Sequence, residues 1–131
     1  MQKQEKTVAL IGVPLEEGSG RGGCAMGPAA YRIAGIASAL GELGYAVEDR
    51  GDLRPQPAAD LAPMDRAKHL PVVGAFTRAI EAETYAAATS GAVPILLGGD
   101  HSLSMGSVSG MARYAATLDR PLYVLWLDAH S

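Results

Sequence analysis

At 131 residues, of which 48% are hydrophobic, the chain has the length of one domain and enough apolar side chains to bury a core. Its net charge of −3 excludes the strongly basic surface typical of nucleic-acid-binding proteins. Its apolar runs are too short to span a membrane, and the single cysteine, Cys24, excludes an internal disulfide. We therefore expect a cytoplasmic protein that binds neither nucleic acid nor membrane.

The first half of the chain predicts a strand, a helix and a second strand. Residues 7–11 are continuously apolar, which is typical of a strand buried on both faces of a parallel sheet. A long glycine-rich loop follows over residues 12–27. Pro28 is suited to the first turn of a helix, and Gly44 ends the helical spacing of apolar residues that follows it. Residues 45–52 are then expected to form the second strand.

The second half continues the alternation after a proline-rich irregular segment. The pattern predicts a helix over residues 71–90, a strand over 94–97, a helix over 103–117 and a fourth strand over 122–127. Strands that alternate with helices indicate a parallel α/β sheet with right-handed crossovers. Ligands of such sheets bind at the carboxyl ends of the strands.

Two His–Asp pairs follow predicted strands. Asp100 and His101 come after the third strand, and Asp128 and His130 come after the fourth. Residues two apart in an extended chain point to the same side, so the second pair can reach one metal ion. Imidazole and carboxylate ligands without thiolate suit Mn, Fe, Co or Zn. A helix cap formed by Asp100 or Ser102 is the structural alternative for the first pair.

Other candidate residues favour structural interpretations. The glycine run at 18–23 lacks the lysine pattern of a phosphate-binding loop, which disfavours nucleotide binding. Cys24 has no histidine partner in the sequence that would make it a catalytic nucleophile, and it is interpreted as a buried small residue. His69 is expected at the surface, and Trp126 in the core.

Three motifs together resemble the ureohydrolase superfamily, the arginases and agmatinases. They are LGGDHS at 97–102, WLDAH at 126–130, and GCAMGP at 23–28 followed by Arg32 and by AGI at 34–36. The motifs occur in order across nearly the whole chain. The resemblance implies a three-layer α/β/α fold with a parallel sheet.

The resemblance also implies a binuclear manganese hydrolase that holds two Mn²⁺ ions. A hydroxide that bridges the metals would attack the guanidinium carbon of L-arginine, giving L-ornithine and urea. By the same resemblance His101 is a ligand of the first metal, Asp128 bridges both metals and His130 is a ligand of the second. Asp100 matches no metal ligand of the family and is expected to fix the orientation of the neighbouring ligands. A homo-oligomer, trimer or hexamer, is implied for the intact enzyme.

Arginase is favoured over agmatinase by SLSMGSVSG at residues 102–110, where agmatinases tend to have a Thr-Leu-Pro type of continuation. Agmatinase, or another ureohydrolase, stays open as an alternative. Other family ligands fall outside these residues, the next of them at position 132, and so do the residues that transfer protons and read the substrate. The catalytic residues are therefore unknown from this chain.

We accordingly expect residues 1–131 to be the amino-terminal part of one arginase-like domain, inactive when isolated. In the family's sheet the fourth strand does not lie beside the third. Residues 122–127 are thus expected to leave an open gap and an exposed apolar edge. The remaining alternative is an inactive remnant with at most weak metal binding.

Overall fold

The computed structural model describes residues 6–128. Three strands and four helices follow one another along the chain, with a short 3₁₀ turn, Cys24–Met26, before the first helix. They are β1 Thr7–Val13, α1 Gly27–Ile33, α2 Ile36–Glu42, β2 Ala46–Asp52, α3 Leu70–Thr89, β3 Val93–Gly98 and α4 Leu103–Thr117. Within the described part of the chain, no helix is both long and apolar enough to cross a membrane.

The three strands form one parallel sheet in the order β2-β1-β3. Val8 of β1 lies opposite Val47 of β2 on one side and Val93 of β3 on the other. The central position of β1 explains its continuous apolar sequence, because both of its edges and both of its faces are covered. The residues of β1 with no exposed surface are Ala9, Leu10, Ile11 and Val13.

Helices cover both faces of the sheet, which confirms the predicted α/β fold. On one face Ile11 and Val13 pack with Phe76 and Ile80 of α3, and Leu103 of α4 joins this core. The opposite face has a smaller core. There Leu10 of β1 and Leu97 of β3 contact Ile36 and Leu40 of α2. The alternation of side chains along β1 thus divides its residues between two cores.

The helix predicted from Pro28 to Gly44 is two helices. Ala34 ends α1, and Gly35 adopts φ 87° before α2 begins. This left-handed conformation favours glycine because it has no Cβ. The periodicity of apolar residues continues through the break, which is why the sequence predicted one continuous helix.

The predicted strand at residues 122–127 is not formed. Tyr123, Leu125 and Leu127 are each more than 80% exposed, and Trp126, which was expected in the core, is 53% exposed. A strand is stable only when a neighbour satisfies its backbone N–H and C=O groups. No strand among residues 6–128 pairs with this segment, as the expected gap in the sheet implies.

Two buried glycines bring α4 against α3. A Cβ on Gly106 would lie 2.6 Å from the Thr77 carbonyl oxygen, and one on Gly110 would lie 2.7 Å from the Glu81 carbonyl oxygen. Val108 and Met111 of α4 lie beside residues 122–125, and together with Thr84 of α3 they line a groove of about 370 Å³.

Gly106→Ala is therefore expected to lower the free energy of unfolding by about 1–3 kcal/mol, because the added methyl group has no room between the helices. Denaturant unfolding measures the change. Gly41→Ala is the matched control. Gly41 also lies in a helix, but a Cβ there meets nothing within 4 Å, so the variant should gain up to about 1 kcal/mol. A Gly106→Ala protein as stable as wild type would contradict this account of the contact.

Arg32 ties α1 to the carboxyl end of β2. Its Nε and Nη2 atoms each lie 2.8 Å from a carboxylate oxygen of Asp49, and Nη1 lies 2.6 Å from Oδ1 of Asp52. The hydrogen bonds from Arg32 hold the pKa of Asp49 below its usual value, and those to Asp49 and Asp52 raise the pKa of Arg32. Gly12 leaves room for this network, since a Cβ there would collide with the Asp52 carboxylate.

Arg32→Gln removes these ion pairs and should lower the free energy of unfolding by about 1–2 kcal/mol at about pH 7. The loss is no larger because the pairs are partly exposed and are screened by water. A lowered pKa in the folded state means that the contribution of Asp49 is present above its usual value of 3.8. This contribution is lost as the pH falls from 3.8 through the pKa of Asp49 in the folded state. The difference in unfolding free energy between variant and wild type should therefore shrink over the same range of pH. Urea unfolding at about pH 7 and about pH 3 measures it.

Arg78→Gln is the control for this test, because Arg78 makes a similar two-pronged contact with Asp60 on an exposed surface. It should destabilise the protein less than Arg32→Gln. Equal losses for the two variants, or a loss for Arg32→Gln that does not depend on pH, would contradict the proposed weight of the Arg32 network.

Candidate metal centre at the carboxyl ends of the strands

The turn after β3 is pressed against the end of β1. Gly99 adopts φ 47°, and a Cβ at this position would lie 2.5 Å from the carbonyl oxygen of Val13. The N–H of Asp100 donates to the carbonyl oxygen of Leu15 at 2.8 Å. Glycine is required here because the turn combines a positive φ with close backbone contact. The next residue, His101, is thereby placed at the carboxyl ends of the strands.

Asp100 is buried, with 6% of its surface exposed, and both of its carboxylate oxygens have partners. Oδ2 accepts the N–H of Ser19 at 2.9 Å. Oδ1 accepts the N–H of Ser102 at 2.9 Å and the Ser102 hydroxyl. The carboxylate thus joins the loop after β1 to the start of α4. The capping alternative is not confirmed, because Asp100 bonds to Ser102, the residue before α4, and no described side chain accepts an N–H of the first turn of the helix.

His101 and Asp128 are brought together although 27 positions separate them in the sequence. Nδ1 of His101 lies 4.0 Å from Oδ2 of Asp128. The ring of Trp126 meets the His101 ring edge-on at 5.7 Å, and its indole N–H donates to Oδ2 of Asp128 at 3.3 Å. Trp126 therefore contacts both predicted ligands.

The donor set of this pair fits a divalent first-row metal ion. Two donor atoms, each about 2.1 Å from such an ion, lie about 3–4 Å apart, and the 4.0 Å separation is near that range. The third predicted ligand, His130, lies outside the described residues. Over residues 6–128, no three His, Cys, Asp or Glu side chains converge on one point.

A cavity of about 460 Å³ opens beside His101. Its walls come from the loop after β1 and the turn after β3: Gly18, Ser19, Arg21, Cys24, Gly99, Asp100, His101 and Ser102. The motifs identified the second wall but only Cys24 of the first. The signal for the first was the position of the glycine-rich loop at the carboxyl end of β1, where ligands of α/β sheets bind.

The remaining candidate residues are placed as follows. Cys24 is partly exposed in the cavity wall, so its interpretation as a buried residue is wrong. His69 is exposed immediately before α3, as predicted.

Asp100→Asn should lower the free energy of unfolding by about 2 kcal/mol, because the new NH₂ group cannot accept the hydrogen bonds of Ser19 or Ser102. Amide hydrogen exchange should accelerate at whichever of these two residues faces the new NH₂ group. Ser102→Ala, which removes only the hydroxyl contact, is the control and should cost about 1 kcal/mol or less. An Asp100→Asn protein with wild-type stability and exchange would show that the carboxylate does not hold the loop.

Comparison with known proteins assigns the chain to a family. The model of the Arginase family matches residues 6–131. An arginase of Brucella melitensis is 47% identical to this chain, over 93% of the chain and 40% of the arginase. An arginase of Agrobacterium fabrum is 41% identical, over 99% of the chain and 40% of the arginase. The arginase of Bacillus subtilis aligns in three dimensions with a TM-score of 0.69 and 30% identity, over 83% of this chain and 35% of that structure.

The chain thus spans about 40% of the length of the curated relatives it matches. The match begins before β1 and extends through the two His–Asp pairs, so it includes all three motifs on which the resemblance rested. The family model, the sequence relatives and the fold agree with one another. From these similarities and from its parallel α/β sheet, we conclude that the chain belongs to the arginase family.

Proposed function

We propose that the protein is a manganese-dependent hydrolase that cleaves the guanidinium group of L-arginine to L-ornithine and urea. The observation that carries the proposal is the approach of His101 to Asp128, at 4.0 Å, beside a cavity at the carboxyl end of the sheet. Membership of the arginase family supports arginine as the substrate. Residues 1–131 would form the amino-terminal part of one arginase-like domain.

The assignment of residues to the two metals rests on the resemblance to the arginase family, and the chemistry of the side chains is compatible with it. His101 would help to bind one Mn²⁺ ion, Asp128 would contribute to the binding of both ions, and His130 would help to bind the second. Neutral imidazole and carboxylate oxygens are suitable ligands for Mn²⁺. When bound, a pair of such ions lowers the pKa of a water molecule and stabilises the charge that develops in the transition state.

The other residues of the site would hold these ligands and shape the substrate cavity. Both oxygens of Asp100 accept hydrogen bonds from Ser19 or Ser102, so this carboxylate is occupied in fixing the turn that carries His101. The indole N–H of Trp126 would restrict the orientation of Asp128. A cavity of about 460 Å³ is of the size that binds small-molecule substrates.

Agmatinase activity is the second candidate, because the same ligand chemistry would act on any guanidinium compound. Arginine is favoured by the arginase-like residues 102–110, which contain the buried glycines Gly106 and Gly110 of α4. The expected cytoplasmic location and the trimeric or hexameric assembly stay predictions.

The intact protein is expected to release urea from L-arginine after loading with Mn²⁺, and to act more slowly on agmatine. Asp128→Asn should lower the rate at least about 100-fold and weaken binding of both ions, because one carboxylate serves both. His101→Asn should lower activity and weaken binding of one ion only. Colorimetric urea measurement and metal analysis after dialysis test these outcomes together.

His69→Asn is the matched control, since His69 is exposed and lies away from the cavity; it should keep wild-type activity and metal content. Faster turnover of agmatine than of arginine would favour the second candidate. Unchanged metal content and rate in Asp128→Asn would refute the bridging role. If the protein releases urea from neither arginine nor agmatine, the proposed function is refuted.

A further inference from the structure

The segment that runs from the end of β1 into the 3₁₀ turn forms one wall of the cavity. We call residues 16–25 the glycine loop. Gly18, Ser19, Arg21 and Cys24 of this loop face the turn that carries His101. Within the loop Gly20 and Gly23 have positive φ, at 65° and 108°. A segment with so many glycines has high conformational entropy when unfolded, and specific contacts are needed to keep it in one conformation.

The carboxylate of Glu16 supplies such contacts from inside the glycine loop. Its Oε2 atom accepts the N–H of Gly23 at 2.8 Å and the N–H of Ala25 at 3.3 Å. These bonds connect the beginning of the loop to its end. Hydrogen bonds to a charged acceptor are stronger than those between neutral groups, and partial burial of Glu16 reduces their screening by water.

Further contacts fix the middle of the glycine loop. The N–H of Ser19 donates to Asp100 at 2.9 Å, and the Ser19 hydroxyl donates to the carbonyl oxygen of Glu16 at 3.0 Å. The N–H of Arg21 donates to the Ser19 hydroxyl at 3.1 Å. Arg21 therefore lies between two attachments, Asp100 on one side and Glu16 on the other.

We propose that Glu16 is a positioning residue for the substrate cavity: its carboxylate holds the glycine loop closed and thereby keeps Ser19, Arg21 and Cys24 in place as a cavity wall. This inference rests on the proposed arginine hydrolysis. Glu16 acts through the loop and does not touch the metals. Without its two hydrogen bonds the wall adopts several conformations, and substrate binding bears the cost of restoring one of them.

Glu16→Ala tests the proposal with two independent readouts. The first is trypsin cleavage after Arg21, which is exposed, followed by mass spectrometry. Loss of two charge-assisted hydrogen bonds should raise the cleavage rate at least about fivefold. The second is steady-state kinetics of the intact, Mn²⁺-loaded protein. The KM for arginine should rise about three- to tenfold while kcat changes less than about twofold.

Two variants serve as comparisons. Glu17→Ala removes the neighbouring carboxylate, whose hydrogen bond is local, to the N–H of Glu16, and it should leave both readouts at the wild-type level. Glu16→Gln keeps an acceptor oxygen of the same reach and should restore at least half of the lost affinity.

The outcomes separate this proposal from the proposed function. Wild-type cleavage after Arg21 in Glu16→Ala would overturn the role of Glu16 in holding the loop. Faster cleavage with an unchanged KM would show a purely structural residue and would overturn its role in substrate binding. If the wild-type protein releases no urea, the proposed function fails, and with it the substrate part of this inference, while the cleavage result still decides whether Glu16 holds the loop.

Discussion

The buried carboxylate of Asp100 connects the parts of the chain that form the candidate site. It accepts hydrogen bonds from Ser19 after β1 and from Ser102 before α4, and its own N–H donates to Leu15. A buried carboxylate is costly unless its oxygens have donors, so burial of Asp100 requires both segments to approach it. The position of His101, the next residue, follows from that arrangement.

The charged side chains near the candidate site make two kinds of contact. Asp100 and Glu16 are directed at backbone N–H groups, and Arg32 is paired with carboxylates of β2. By contrast, His101 and Asp128 meet at the cavity. Groups held by several hydrogen bonds are suited to fixing geometry, whereas groups at an opening are suited to binding ions and substrate.

Much of the fold and the second wall of the site could be predicted from the sequence, because these features depend on local patterns. The continuous apolar run of β1 and the glycines before His101 each have one strong physical interpretation. The break at Gly35 was missed because the apolar spacing continues across it. The prediction of a strand at residues 122–127 was wrong. A strand forms only beside a neighbouring strand, and the local sequence does not reveal whether such a neighbour is present.

The wall formed by Ser19 and Arg21 was also missed. Neither residue belongs to a recognisable ligand motif, and their position depends on hydrogen bonds between segments about 80 residues apart in the chain, such as that from Ser19 to Asp100. Such long-range contacts between polar groups leave little trace in periodicity or composition. The glycine-rich loop indicated where a ligand would lie but not which side chains would line the space.

The central claim is that His101 and Asp128 bind metal at the carboxyl end of the sheet. A crystal structure of the intact protein grown with Mn²⁺, with diffraction recorded at the manganese absorption edge, tests it most directly. Two anomalous peaks are expected, one in contact with His101 and Asp128 and the other sharing Asp128. A well-ordered structure without an anomalous peak within about 2.5 Å of either side chain would contradict the account.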